Sequence, residues 1–196
     1  MHKTSLLFGV AAAALSFALS TASFADDAAD IKAKAEDYTK TEVAKWVADA
    51  DVVAALSAAN SSSAAYDQGK IDELDKQWRA EVGAAAHPLI DQVMASSASA
   101  KAKSWCSSGG GVVTEVIIMD NKGLNVGICD ATSDYWQGDE PKWQRAFLEG
   151  KGAVFIDRPR FDDSSSRNLA QISVPVMENG RAIGVITIGV TIDKLK

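Results

Sequence analysis

The chain reads as an α+β fold, a mixed α/β arrangement in which a long N-terminal helix and further helices pack on a five-stranded antiparallel sheet. Three observations point there. Between Ile31 and Val93 the apolar residues recur at helical spacing. From Val112 onward the pattern changes to that of strands. The connections between those strands are short, and one carries Asn179-Gly180, a strong hairpin signal. Short connections favour an antiparallel sheet with the long helices on one side.

The first residues are not part of that fold. His2 and Lys3 give a positive start, Leu6 to Leu19 is an Ala-rich apolar run, and Ser23-Phe24-Ala25 is a small-x-small site before Asp26. This is the layout of a signal peptide with cleavage after Ala25, and the run is too short to favour a membrane span. Its style suggests a Gram-negative bacterium, hence a soluble protein of the periplasm. Residues 26–196 then form one domain, helical over 26–105 and sheet-forming over 112–196. The whole chain carries a formal net charge of −6 and has no basic patch, so nucleic acid is a poor partner.

Residues 28–58 read as one helix, with Ile31, Ala35, Tyr38, Val43, Trp46, Val47, Ala50, Val53 and Ala54 on its apolar side and a phase slip near Glu42. At about 45 Å it overhangs a compact domain, and its exposed end suits pairing with a second copy or another partner. Asn60-Ser61-Ser62-Ser63 breaks the pattern. A second helix covers Lys70 to Val82, and a third begins at Pro88. His87, the only histidine of the mature chain, has no partners for metal or nucleophile chemistry and reads as a loop or capping residue. Residues 95–111 are rich in Ser, Ala and Gly and read as a connector. Gly109-Gly110-Gly111 precedes a strand and lacks a following Lys-Ser/Thr, so it is not a phosphate loop.

The strands are Val112–Met119, Leu124–Cys129, Ala153–Ile156, Asn168–Met177 and Arg181–Ile192. The first two are joined by the turn Asp120-Asn121-Lys122-Gly123. The last is apolar on both faces and should be central. Arg158–Arg167 reads as a polar loop. In the fourth strand Ile172, Val174 and Val176 share one face, while Gln171 and Ser173 share the other. Cys106 and Cys129 leave a disulfide open in an oxidising compartment. A bridge needs the Ser107–Gly111 loop to fold back, because the hairpin sets Cys129 opposite the neighbourhood of Glu115.

The densest chemistry lies in Thr132–Trp143, with three aromatic rings, three carboxylates and one ammonium. Asp139 followed by Glu140-Pro141 reads as an N-cap with proline in the first turn of a helix over Glu140–Leu148. Tyr135, Trp136 and Trp143 beside fixed charges suit a small polar ligand with an apolar part. They equally suit anchoring that helix onto the sheet, and both readings stay open.

Three stretches together resemble a known family. They are Val116–Val126, Thr132–Trp143, and Ala170–Val176 with Ile183–Val190. The layout resembles the Cache domain, the extracellular PAS-like sensor of bacterial receptors, and more narrowly the stand-alone periplasmic PDC sensor domain proteins. The resemblance spans essentially all of the mature chain. It implies signal transduction or chemotaxis through binding of an amino acid, an amine or a short carboxylate, between the sheet and the segment after the second strand. It implies a relay to a membrane receptor or sensor kinase, since the two membrane helices and signalling module of such receptors are not in this sequence. It implies a pocket wall of Tyr135, Trp136 and Trp143. Asp139 or Asp157 would hold an ammonium, Lys142 or Arg158 a carboxylate, and Gln171 and Ser173 would complete the polar contacts. A homodimer would use the N-terminal helix.

No cofactor and no metal are expected. Catalysis is not expected either: neither cysteine has a histidine at a meaningful spacing, and no serine sits in a nucleophile elbow. Two rival readings stay beside the sensor. One is an assembly protein with a vestigial pocket. The other is a calcium-stabilised module using Asp157, Asp162 and Asp163.

Overall fold

The computed structural model describes residues 20–162 and 167–195. α1 (Ser20–Tyr38) passes into a π-helical turn at Thr39–Val43 and on into α2 (Ala44–Val47). The π turn takes up one extra residue, which is the physical origin of the phase slip near Glu42. The single helix expected over 28–58 is interrupted at Asp49. That carboxylate caps a new helix, accepting from the amides of Asp51 at 2.9 Å and Val52 at 3.4 Å. α3 (Ala50–Ser62) then continues through Asn60, Ser61 and Ser62, where the sequence predicts a break. Tertiary bonds override the local preference. The Asn60 amide donates to the Ile183 carbonyl at 2.8 Å, and its oxygen accepts from the Asn121 amide at 2.9 Å. The apolar run Leu6–Leu19 lies outside the described residues, and the expected cleavage after Ala25 falls inside α1.

α4 (Gln68–Glu81) starts at Asp67, whose side chain accepts from the Lys70 amide. Its last residue, Glu81, is buried and receives the amides of Leu89 at 2.8 Å and Ile90 at 3.0 Å, satisfying the open start of α5 (Pro88–Met94). His87 stands at the cap position of α5, 2.9 Å from Asp91. The Ser/Ala-rich connector expected next is in fact mostly a helix, α6 (Ser97–Ser108). Its small residues allow close packing on the sheet. A Cβ placed on Gly127 would lie 2.5 Å from the Ala98 carbonyl carbon and 2.8 Å from the Ser99 nitrogen. Ser99 is fully buried; its hydroxyl donates to the Val93 carbonyl and accepts from the Ile128 amide. Because α6 lies along the sheet, Cys106 near its end reaches Cys129 and the two form a disulfide, with a Cα–Cα separation of 6.5 Å. No loop has to fold back. Cys129 does stand opposite Val116, as the hairpin register requires.

The sheet is antiparallel throughout, in the order β2-β1-β6-β5-β3. β1 is Val113–Asp120, β2 Asn125–Ile128, β3 Phe155–Ile156, β5 Arg167–Glu178 and β6 Arg181–Thr191. β4 (Arg160–Asp162) pairs with β5 on the same edge as β3, so the outermost of the five lanes comes in two pieces. The polar loop expected over Arg158–Arg167 therefore contains a strand. β6 is central, as its two apolar faces predict. Asn179 and Gly180 both take positive φ, 49° and 79°, the backbone of a tight hairpin turn.

Helices cover both faces of the sheet, not one. On the first face Val116, Ile118, Ile172, Ile186, Ile188 and Val190 pack with Ala35, Val43, Val52, Leu56, Ala98 and Ala102. On the second, Ile117, Met119 and Val185 pack with Trp78, Leu89, Ile90, Val93, Trp143 and Ala146. The second face explains the choice of residues in α7 (Pro141–Glu149), whose Trp143 and Ala146 point inward. Among the described residues no helix is long and apolar enough to cross a membrane.

Candidate functional site

The site region is organised by one turn. Asp120 ends β1 with its carboxylate buried, accepting from the amides of Lys122 and Leu124 and from the Ser63 hydroxyl. Burial pushes this carboxyl above the usual aspartate range, against the pull of those bonds and of the Lys122 charge. The turn brings Gly123, at φ 83°, against Gly138. A Cβ on Gly123 would sit 2.5 Å from the Gly138 backbone, so both positions need glycine for the two loops to touch. Across this contact the Gln137 amide donates to the Gly123 carbonyl, and the Asn125 amide to that of Tyr135. Asp75, from α4, completes the clamp by accepting from the amides of Tyr135 at 2.9 Å and Trp136 at 3.0 Å.

This clamp delivers the chain to α7. The expected N-cap, Asp139, is exposed and is not the cap; Glu140 occupies that position, with Pro141 as the first helical residue. Between the start of α7 and the second face of the sheet lies a cleft of about 720 Å3. Its floor is Glu115 of β1, Gly189 of β6 and Gln171 of β5, which are neighbours across the lanes. One wall is Glu140, Pro141 and Lys142; the other is Asp157 and Arg158 from the linker between β3 and β4, with Arg160 at the start of β4. Lys142 is buried, with its Nζ 3.0 Å from Glu140. Asp157 accepts from the Arg158 amide at 2.8 Å and from Arg160 at 3.1 Å. Gln171 donates its side-chain amide to Glu115 at 2.9 Å.

The nine residues singled out in the sequence therefore divide. Lys142, Asp157, Arg158 and Gln171 line the cleft. Trp136 and Asp139 line a separate depression of about 320 Å3 with Asp72, Asp75, Lys76 and Arg79 of α4. The Trp136 indole also braces the loop contact by donating to the Lys122 carbonyl at 2.8 Å. Tyr135 stacks on Trp78, and burial, with the Asp120 charge added, leaves its hydroxyl pKa pushed up to about 12. Trp143 is in the core, donating to the Asp120 carbonyl and stacking on Phe147. Ser173 is fully buried and bonded to Thr187 at 2.8 Å. The aromatic residues thus do the anchoring work that was the other reading of Thr132–Trp143.

Glu115, Arg160 and Gly189 are cleft residues that the sequence reading passed over. Two of them left a signal. Glu115 is an acid on the strand face that also carries the apolar Ile117 and Met119. Gly189 interrupts the branched residues of β6. Among the described residues no cluster of three or more His, Cys, Asp or Glu side chains could hold a metal ion. Asp163, part of the calcium reading, lies outside the described residues.

No protein-family model matches this chain, and no curated protein matches it. Solved structures do. The ligand-binding domain of the Campylobacter jejuni chemoreceptor Tlp3, in complex with 4-methylisoleucine, is similar at 11% identity and a TM-score of 0.38, over 84% of this chain and 61% of that one. The ligand-binding domain of the Pseudomonas aeruginosa amino acid chemoreceptor PctC, in complex with GABA, is similar at 13% identity and a TM-score of 0.37, over 65% of this chain and 54% of that one. The sensor domain of the V. cholerae histidine kinase DctB is similar at 11% identity and a TM-score of 0.36, over 86% of this chain and 57% of that one. The chain spans less than two thirds of the length of each.

Proposed function

We propose that this protein is a non-catalytic sensor domain that binds a small polar metabolite in the cleft between α7 and the sheet. The observation that carries the reading is a convergence. Three separate segments, β1, the start of α7 and the β3–β4 stretch, bring charges of both signs to one concavity of ligand size, and β5 adds the Gln171 amide. Glu115, half-buried and with only the neutral Gln171 amide beside it, is the charge for which a ligand's own charged group would supply the pairing. The residues that would bind it are Lys142, Asp157, Arg158 and Gln171, joined by Glu115 and Arg160. Tyr135, Trp143 and Ser173 would act by holding the frame. Trp136 would act by fixing the loop that leads into α7, and Asp139 lies outside the cleft.

The ligand class is an amino acid, an amine or a short carboxylate. The N-terminal segment of the sequence adds export to the periplasm, and the family resemblance adds relay to a membrane receptor or sensor kinase. A homodimer through the N-terminal helix belongs to the same proposal.

The test is a thermal-shift screen of the purified protein against amino acids, amines, short carboxylates and calcium. A ligand at 100 times its dissociation constant should stabilise the fold by about 2.7 kcal/mol. Lys142→Met, which keeps the apolar stem, should weaken any carboxylate-bearing ligand and leave the melt cooperative. A shift with calcium alone would replace this reading with the ion-stabilised one. No shift with any compound would sink it in favour of an assembly protein.

A further inference from the structure

The charges of the cleft are not equally occupied. Glu140 is met by Lys142 at 3.0 Å and Asp157 by Arg160 at 3.1 Å. Glu115 is met by no cation among the described residues; its partner is the neutral amide of Gln171 at 2.9 Å. Its carboxylate is half-buried on the cleft floor. We infer that Glu115 is the residue that selects the ligand: it receives an ammonium group, so the cleft accepts amines and amino acids and rejects carboxylates that carry no amine. This rests on the ligand-binding reading above and narrows it.

The floor is built for that role. Glu115 stands on β1 and pairs with Gly189 of the central strand β6, and a charge mounted on a strand is held more precisely than one on a loop. Gly189 lies directly across from it. A Cβ there would be 3.0 Å from the Glu115 Cβ and 3.0 Å from the Thr114 hydroxyl, so the absent side chain leaves the carboxylate open to the cleft. A carboxylate has about four acceptor positions. It can therefore keep the Gln171 amide and still take an ammonium N–H, in a charge-assisted bond stronger than the neutral one already present. A ligand carboxylate placed there would meet Glu115 as a like charge, and only the cations of the walls would favour it.

The experiment uses matched sets on the purified protein. Each amino acid or amine is paired with the carboxylic acid of the same carbon skeleton that lacks the amine, and binding is read by thermal shift and by calorimetry. The expected result is binding by amine-bearing members only. Glu115→Gln should weaken them about 10- to 100-fold, the size expected for loss of a hydrogen bond to a charged group. Glu115→Asp, which keeps the charge, should retain the preference.

Wild-type binding of an amine-free acid as tight as that of its amine-bearing match would overturn the selectivity and leave the ligand-binding reading standing. Unchanged amine affinity in Glu115→Gln would overturn the assignment to this residue. Failure of every compound to bind the wild type would remove both readings. The matched comparison on the wild type decides selectivity even if Glu115→Gln fails to fold.

Discussion

The bridge between Cys106 and Cys129 offers a test with a worked magnitude. It closes a loop with a sequence separation of 23, tying the end of α6 to the end of β2. In the chain-entropy account, a loop of that size removes enough freedom from the unfolded chain to stabilise the fold by about 3.4 kcal/mol at 25 °C. For a domain of this size, that corresponds to a fall of roughly 7–14 °C in Tm when the bridge is lost. The double variant Cys106→Ser, Cys129→Ser should show this loss in urea unfolding and in thermal melts, and so should the wild type under reducing conditions. The stacked pair Trp46–Trp105, with ring centroids 4.6 Å apart, places an indole on the residue next to Cys106 and gives an intrinsic fluorescence reporter of the same event. A loss below about 1 kcal/mol, with the oxidised wild type verified by mass, would refute the reasoning. It would mean that α6 and β2 are already held together in the unfolded ensemble.

Gly127→Ala should destabilise by about 1–3 kcal/mol in chemical denaturation, because the new methyl meets the backbone of Ala98 and Ser99, which α6 cannot withdraw without leaving the sheet. Leu56→Ala, at a fully buried position of the larger core, should cost about 2–5 kcal/mol by the same measurement. Asp75→Ala leaves the amides of Tyr135 and Trp136 without their acceptor; it should cost about 2–4 kcal/mol and loosen the loop into α7, visible as faster amide exchange there. Asp120 has its carboxyl raised by burial, so the folded state holds the proton more tightly than the unfolded chain does. Its contribution is therefore present below the ordinary value of about 4 and is lost as pH rises through the raised one. Unfolding measured across that window should show the Asp120→Asn variant gaining on the wild type as the pH climbs.

Much of the sheet half was legible because its signals are local. Asp120–Gly123 and Asn179-Gly180 are turns by their own chemistry, and strand alternation assigned Gln171 and Ser173 to one face. The phase slip near Glu42 was visible too, though not that a π turn absorbs it. What escaped depends on contacts distant in sequence. Residues 97–108 look like a linker because Ser and Ala carry little apolar surface, yet small size is what a helix needs to lie against Gly127. Asp49 looks like one more charge on a solvated helix face until its carboxylate is seen to accept the amides of Asp51 and Val52. In the site, charge and aromatic density drew the eye to Thr132–Trp143, but density marks a tightly tied loop as readily as a binding wall. Glu115 was the quieter clue, an acid in line with the apolar Ile117 and Met119. Reading it required knowing which lane of the sheet would lie beside it.

The divided outer lane has a consequence for how the protein behaves in a crowded solution. β5 is twelve residues long, and a bare edge of that length is a template on which other chains assemble. Two short pieces, β3 and β4, cover its first half, Arg167–Ser173, with Asp157–Pro159 between them, so that stretch offers no continuous edge to a neighbour. Asp157 and Arg158 of that same linker line the cleft. A mutation that straightened the linker into one continuous strand would reshape the rim of the cleft, and it would hand the outer edge to aggregation.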